Sequence, residues 1–140
     1  MMMASLCAGR TRLSRTRREG ALAVEFALVV PIVFVLFFGA FEFCRVAMIR
    51  HTVDNAVYEG GRRGIIPGGS AQDVSREAQR VLSTIGITGA NINVVPARIT
   101  PTTEEVTVTV TVPLDENTFL PARHFAGRTV TRSLSMQRER

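Results

Sequence analysis

Residues 21–41 read ALAVEFALVVPIVFVLFFGAF, an almost unbroken apolar run in which Glu25 is the only charged residue. As an α-helix, a run of this length covers about 31 Å, which matches the roughly 30 Å hydrocarbon core of a bilayer. The apolar residues surround the predicted helix on all sides, as a lipid-facing span requires. The run therefore predicts a transmembrane helix. It is too long for the apolar part of a secretory signal peptide, so we expect the span to be retained.

Most of the net charge of the 140-residue chain lies before this run. The chain carries 17 basic residues, all arginine, against 12 acidic ones, which gives +5. Residues 1–20 hold Glu19 and five arginines, hence +4 of this total. Those arginines are Arg10, Arg12, Arg15, Arg17 and Arg18. Because positive residues collect on the cytoplasmic side of a span, we predict a basic cytoplasmic leader at 1–20 and an extracytoplasmic chain after about residue 45.

Residue types suited to nucleic-acid binding, catalysis or metal binding are scarce. The chain after residue 20 has a net charge of only +1, from 12 arginines and 11 acids, which argues against a nucleic-acid partner. The histidines and cysteines are too few for a zinc site or a Cys–His pair; they are His51, His124, Cys7 and Cys44. We expect no enzyme, no metal and no cofactor. Cys44 is interpreted as an apolar packing residue, with intermolecular pairing as the alternative.

Glu25 lies inside the predicted span, where an ionised carboxylate costs at least a few kcal/mol and therefore needs a partner. The residues around it, Gly20-Ala21-Leu22-Ala23-Val24-Glu25-Phe26, resemble the processing site of type IV pilin precursors. In those precursors a prepilin peptidase cuts after the glycine on the cytoplasmic side, and glutamate is the fifth mature residue. The resemblance implies that the Gly20–Ala21 bond is cleaved.

More narrowly, residues 17–31, RREGALAVEFALVVP, resemble the start of TadE-like proteins. These are minor pilins, or pseudopilins, of the tight-adherence (Tad, or Flp) pilus machinery. The resemblance covers residues 17–50 and is only architectural beyond them; Glu19 departs from it, because a basic residue would fit the charge pattern better. The partners that it implies are a prepilin peptidase, other Tad pseudopilins or pilins, and the inner-membrane pilus platform, in addition to the lipid bilayer.

Cleavage would give Glu25 a partner. It creates a positive α-amine at Ala21, and residues 21 and 25 lie one helical turn apart on one face. Glu25 can then pair with its own amine or with that of a neighbouring subunit, and pairing between subunits would set their axial register. The alternative is that Glu25 snorkels to the headgroups and that Gly20 merely begins a helix. Pro31 either bends the span, because proline lacks an amide hydrogen, or is simply tolerated.

Beyond the span, the pattern predicts a helical stem over residues 42–60 and then a second helix. Apolar residues of the stem recur at spacings of three and four: Phe43, Val46, Ala47, Ile49, Val53, Ala56 and Val57. The glycines at positions 60, 61 and 64 are expected to end the stem. Ser70, with Asp73 three residues later, predicts the N-terminus of a helix over about 71–85. Arg62 and Arg63 do not predict a phosphate site, because no strand precedes them and no helix follows.

After Gly86 the apolar period changes to two, which predicts strands at about 92–99, interrupted at Pro96, and at 105–112 and 129–136. We expect an α+β fold, in which the second helix packs on a three-stranded antiparallel sheet and the stem adds cover. The predicted regions are the leader, the transmembrane helix at 21–41, the stem at 42–60 and an extracytoplasmic domain at 61–140.

The function predicted from these features is that of a membrane-anchored minor pilin-like subunit in Tad pilus assembly. The alternative is an uncleaved single-pass protein whose extracytoplasmic domain binds a ligand or the cell envelope. Residues 113–127, which include Arg123 and His124, form either a contact with another pilus component or a solvated connection.

Overall fold

The computed structural model describes residues 12–119 and 127–138, with side chains from residue 20 onward. Helix α1 spans Arg12–Ile65 and α2 spans Ala71–Ser83; strands β1 (Asn91–Val95), β2 (Glu105–Pro113) and β3 (Thr129–Gln137) follow. The strands form an antiparallel sheet in the order β1-β2-β3. The predicted α+β fold is confirmed.

The chain separates into two compact units, Met1–Phe41 and Glu42–Arg140. In the first unit, the part of α1 that follows Gly20 is apolar and exposed; Phe26 and Val35, for example, are each 71% exposed. The helix is long and apolar enough to cross a membrane, and its most apolar 18-residue window has none of its residues buried within the chain.

The second unit has a hydrophobic core to which both helices and the sheet contribute. Its fully buried residues lie on α1, α2 and β2: Ile49, Val53, Ala56, Val74, Ala78, Leu82, Val106, Val108, Val110 and Val112. Residues 49–57 of α1 therefore cover the sheet together with α2. The strict alternation in β2 turns its valines towards this core, as the period of two predicts.

The other face of the sheet carries hydroxyl groups that pair across strands. Three hydrogen bonds of 2.9–3.2 Å join side chains of β2 to those of β3: Thr107 to Ser135, Thr109 to Ser133, and Thr111 to Thr131. Such cross-strand pairs stabilise a sheet and leave its outer face polar.

The prediction that glycines end the stem was wrong, because α1 continues to Ile65. All three glycines are buried in the second unit. A Cβ on Gly61 would lie 3.0 Å from Sδ of Met136, and a Cβ on Gly64 would lie 3.0 Å from Cγ2 of Val74. These glycines therefore let α1 approach β3 and α2 closely. The turn to α2 comes later, at Gly68, whose φ of +83° favours glycine.

The predicted start of α2 is confirmed by a reciprocal cap. Oγ of Ser70 accepts a hydrogen bond from the Asp73 amide at 3.2 Å, and Oδ2 of Asp73 accepts one from the Ser70 amide at 3.3 Å. The helix ends at Ser83, slightly before the predicted end. Strand β1 ends at Val95 and does not reach Ile99, because Pro96 cannot donate to the ladder.

Candidate functional site

The predicted processing segment lies on the exposed surface of α1. Gly20, Ala21 and Glu25 are all exposed, and Ala21 and Glu25 are one helical turn apart. The structure thus places these residues on one accessible helix. Cleavage after Gly20, and pairing of Glu25 with the amine that cleavage creates, stay predictions.

Packing within the chain does not explain the glycine at position 20. A Cβ there would meet no atom within 4 Å, in contrast to Gly61 and Gly64, and Gly39 is equally open. A glycine inside a helix costs about 1 kcal/mol relative to alanine. At Gly64 the close approach of Val74 explains this cost, whereas at Gly20 no contact with the part of the chain that the structure describes does so.

Pro31 lies exposed inside α1, which is continuous on both sides of it. The bend that we predict at Pro31 stays a prediction. Of the leader arginines, Arg12, Arg15, Arg17 and Arg18 lie within the bounds of α1. Arg10 lies outside the described residues.

Four residues meet at the start of the stem, and we call them the stem-base cluster. They are the polar residues Glu42, Arg45 and Asn117 and the aromatic residue Phe119. Two of its polar side chains are buried, since Glu42 is 4% exposed and Asn117 is 6% exposed. Oε2 of Glu42 accepts a hydrogen bond from the backbone amide of Phe119 at 3.2 Å. A buried carboxylate therefore holds the chain that follows β2 against the base of the stem.

Arg45 connects this cluster to α2. Its Nε donates to the carbonyl oxygen of Asn117, and its Nη1 donates to that of Ile85, each at 3.1 Å. The guanidinium carbon lies 5.6 Å from the centre of the Phe119 ring, which is within cation–π range. Ile85 follows the C-terminus of α2, where the helix dipole favours a positive charge. Arg45 thus joins the stem, the end of α2 and the segment after β2.

Asn117 fixes the start of the long connection between β2 and β3. Its Nδ2 donates to the carbonyl oxygens of Thr88 and Pro113, at 2.9 and 2.7 Å, and its Oδ1 accepts from the Thr88 amide at 2.9 Å. These bonds satisfy a buried amide that would otherwise destabilise the fold. Residues 120–126, which include Arg123 and His124, lie outside the described residues. The predicted contact of segment 113–127 with a pilus component stays a prediction.

The stem-base cluster was not predicted from the sequence. The apolar pattern of the stem predicted Phe43 on its packed face, together with Ile49 and Val53. That placement was wrong, because Phe43 is 76% exposed. One signal could have found the cluster: residues 42, 45, 49 and 53 recur at spacings of three and four, so both charged residues continue the stripe of Ile49 and Val53.

Among the described residues, the remaining histidine and cysteine candidates do not form a second site. Cys44 and His51 are exposed on α1, and the interpretation of Cys44 as an apolar packing residue stays a prediction. Within residues 12–119 and 127–138, no group of three histidine, cysteine or acidic side chains could hold a metal ion.

An open cleft of about 340 Å³ lies between α1 and α2 and carries charges of both signs. It is lined by Glu59, Arg62, Arg63, Ile66, Asp73, Arg76 and Glu77. Hydrogen bonds from the side chain and backbone of Ser70 hold the pKa of Asp73 below its ordinary value. Ion pairs also join Arg62 to Glu59 at 3.9 Å and Arg76 to Asp73 at 3.3 Å. This mixture of signs gives no support to a phosphate site.

Comparison with known proteins finds one family. Residues 20–62 match the family model described as TadE, TadE-like protein. The match begins at Gly20, the glycine of the predicted processing site, and includes the apolar run and most of the stem. No curated protein and no solved structure matches the chain. The resemblance to TadE-like proteins is confirmed over these residues.

Proposed function

We propose, from the TadE-like segment at residues 20–62, that this chain is a membrane-anchored minor pilin-like subunit that takes part in Tad pilus assembly. The basic leader stays in the cytoplasm, residues 21–41 cross the cytoplasmic membrane, and the second unit lies outside. A prepilin peptidase removes the leader after Gly20. The chain itself catalyses no reaction; it acts by packing against other pseudopilins or pilins and against the membrane platform.

The observation that carries the proposal is the exposed apolar surface of α1 after Gly20. Most large side chains of this segment are more than half exposed, for example Phe26 and Val35 at 71% and Leu36 at 68%. Burial of one such side chain contributes about 1.5–3 kcal/mol, so the whole segment in water would cost on the order of tens of kcal/mol. Lipid removes this surface from water before assembly, and neighbouring subunits remove it afterwards.

The processing step accounts for two residues that the fold does not use, Gly20 and Glu25. Removal of the leader takes away its charge of +4 and leaves a single positive amine at Ala21. Extraction of the helix from the bilayer then becomes easier, because fewer charges hold it at the cytoplasmic surface. The amine also gives the Glu25 carboxylate the partner that a low-dielectric environment requires.

The test is the mass of the native chain, measured in pilus-producing cells with and without the prepilin peptidase. We expect an N-terminus at Ala21 in the wild type, and an intact leader in Gly20→Arg and in cells without the peptidase. Ser14→Arg is the matched control, since it adds the same charge to the leader away from the bond and should still be cut. An intact wild-type leader in cells that assemble the pilus would favour the alternative, an uncleaved single-pass protein with a binding domain.

A further inference from the structure

We propose that the second unit contacts the lipid headgroup layer through Phe119, which is held by Glu42 and Arg45 at the start of the stem. The inference rests on the proposed function in one respect, namely that residues 21–41 span the membrane. It goes beyond that function because it gives the folded domain a membrane contact of its own, made by a residue far from the span in sequence.

The base of the stem lies close to the end of the apolar run. At a rise of 1.5 Å per residue, Phe43 lies about 3 Å and Arg45 about 6 Å beyond residue 41 along the helix. The headgroup region on each side of the hydrocarbon core is about 5–8 Å thick. Residues 42–45 are therefore at the level of the headgroups when the apolar run fills the core.

The fold brings Phe119 to the level of residues 42–45. Its amide donates to Oε2 of Glu42 at 3.2 Å, across a sequence separation of 77 residues, and its ring lies below the Arg45 guanidinium at 5.6 Å. The Asn117 hydrogen bonds hold the preceding turn. Phe119 is thus positioned by the residues that follow the span directly.

Phe119 is 69% exposed although its backbone amide is held by a buried carboxylate. Phe43, one residue after Glu42, is 76% exposed. Apolar rings among polar groups at this depth fit the boundary between headgroups and acyl chains. Because residues 42–45 follow the span directly, we expect lipid rather than a second protein chain to contact the two rings. The test must therefore distinguish contact with lipid from contact with protein.

The experiment uses tryptophan fluorescence, since the chain contains no tryptophan. Phe119→Trp, Phe43→Trp and Tyr58→Trp each supply a single reporter in the full chain. The chain is reconstituted in phosphatidylcholine–phosphatidylglycerol vesicles whose acyl chains are brominated near the headgroup, because bromine quenches only nearby tryptophan. Tyr58 is the matched control: it is 54% exposed on the same helix, about 22 Å beyond Phe43. Circular dichroism verifies that each variant is folded.

We expect bromolipid to quench Phe119→Trp about as strongly as Phe43→Trp and to leave Tyr58→Trp unquenched. Quenching of Phe43→Trp alone would overturn the inference and leave the membrane anchor intact. A blue-shifted but unquenched Phe119→Trp would also overturn it, since protein would then cover the ring. If Phe43→Trp escapes quenching too, the placement of the span is wrong, and the proposed function fails together with the inference.

Discussion

The glycines inside α1 give a sharp test of how the stem packs on the rest of the second unit. At Gly64, a Cβ would lie 3.0 Å from Cγ2 of Val74 and 3.1 Å from Cγ1 of Val106. At Gly60, the nearest atoms would be Cβ of Ala78 and the carbonyl oxygen of Val74, each at 3.4 Å, which is ordinary contact. Gly64→Ala and Gly60→Ala therefore make the same chemical change on one helix in two different packing environments.

The two variants should change stability in opposite directions. Alanine in place of a helical glycine gains up to about 1 kcal/mol. Overpacking of a tight site typically costs about 1–3 kcal/mol. For Gly64→Ala we expect a net loss of about 1–2 kcal/mol, and for Gly60→Ala a gain of up to about 1 kcal/mol. The two unfolding equilibria should then differ roughly 10-fold to 100-fold, since 1.4 kcal/mol corresponds to a factor of ten.

The assay is pulse proteolysis of the full chain in detergent micelles over a urea series, which reports the folded fraction of each variant. The wild type and both variants are compared at the same detergent concentration. Equal midpoints for Gly64→Ala and Gly60→Ala would refute the reasoning. The glycines would then not be required for close approach of α1 to α2 and the sheet.

Three further predictions concern charge and hydrogen bonding. Glu25→Gln should sharply reduce incorporation of the subunit into pili, measured by immunoblotting of sheared fibres, because the Ala21 amine loses its partner. Asn117→Ala should destabilise the second unit by about 2–4 kcal/mol in the same proteolysis assay, because buried backbone groups lose their hydrogen bonds. The folded-state pKa of Asp73 lies below its ordinary value, because the side chain and backbone of Ser70 donate hydrogen bonds to its carboxylate. Its contribution to the stability of α2 is therefore complete above about pH 4 and is lost as the pH falls through the folded-state pKa. Amide hydrogen exchange in α2 over this pH range measures that loss.

Each of these predictions has a matched control. Glu19→Gln is the control for Glu25→Gln: it leaves a mature subunit identical to the wild type once the leader is cut, and it should be incorporated normally. Normal incorporation of Glu25→Gln would contradict the pairing of Glu25 with the Ala21 amine. Asn93→Ala, on the exposed face of β1, should change stability by no more than about 0.5 kcal/mol. Ser70→Ala should raise the pKa of Asp73 towards its ordinary value; an unchanged pKa in that variant would rule out the cap as its cause.

Short-range patterns in the sequence determine much of this protein. The apolar run of 21–41 predicts a helix that is long and apolar enough to span a membrane, because length and hydropathy depend only on consecutive residues. The Ser70–Asp73 cap and the alternating valines of β2 are equally local, and both occur where we predicted them. The predictions made for Gly20 and Glu25 depend on the same short segment and stay predictions.

The tertiary structure alone decided the features that depend on distant partners. Helix α1 continues through Gly60, Gly61 and Gly64, because contact with α2 and the sheet offsets the cost of helical glycine, and no local signal contains that contact. Arg45 donates a hydrogen bond to the carbonyl oxygen of Asn117, 72 positions later in the chain. Glu42 accepts one from the amide of Phe119, 77 positions later. Periodicity can place a charged residue on the core face of a helix. Only the folded chain supplies the buried partners that make such a position stable.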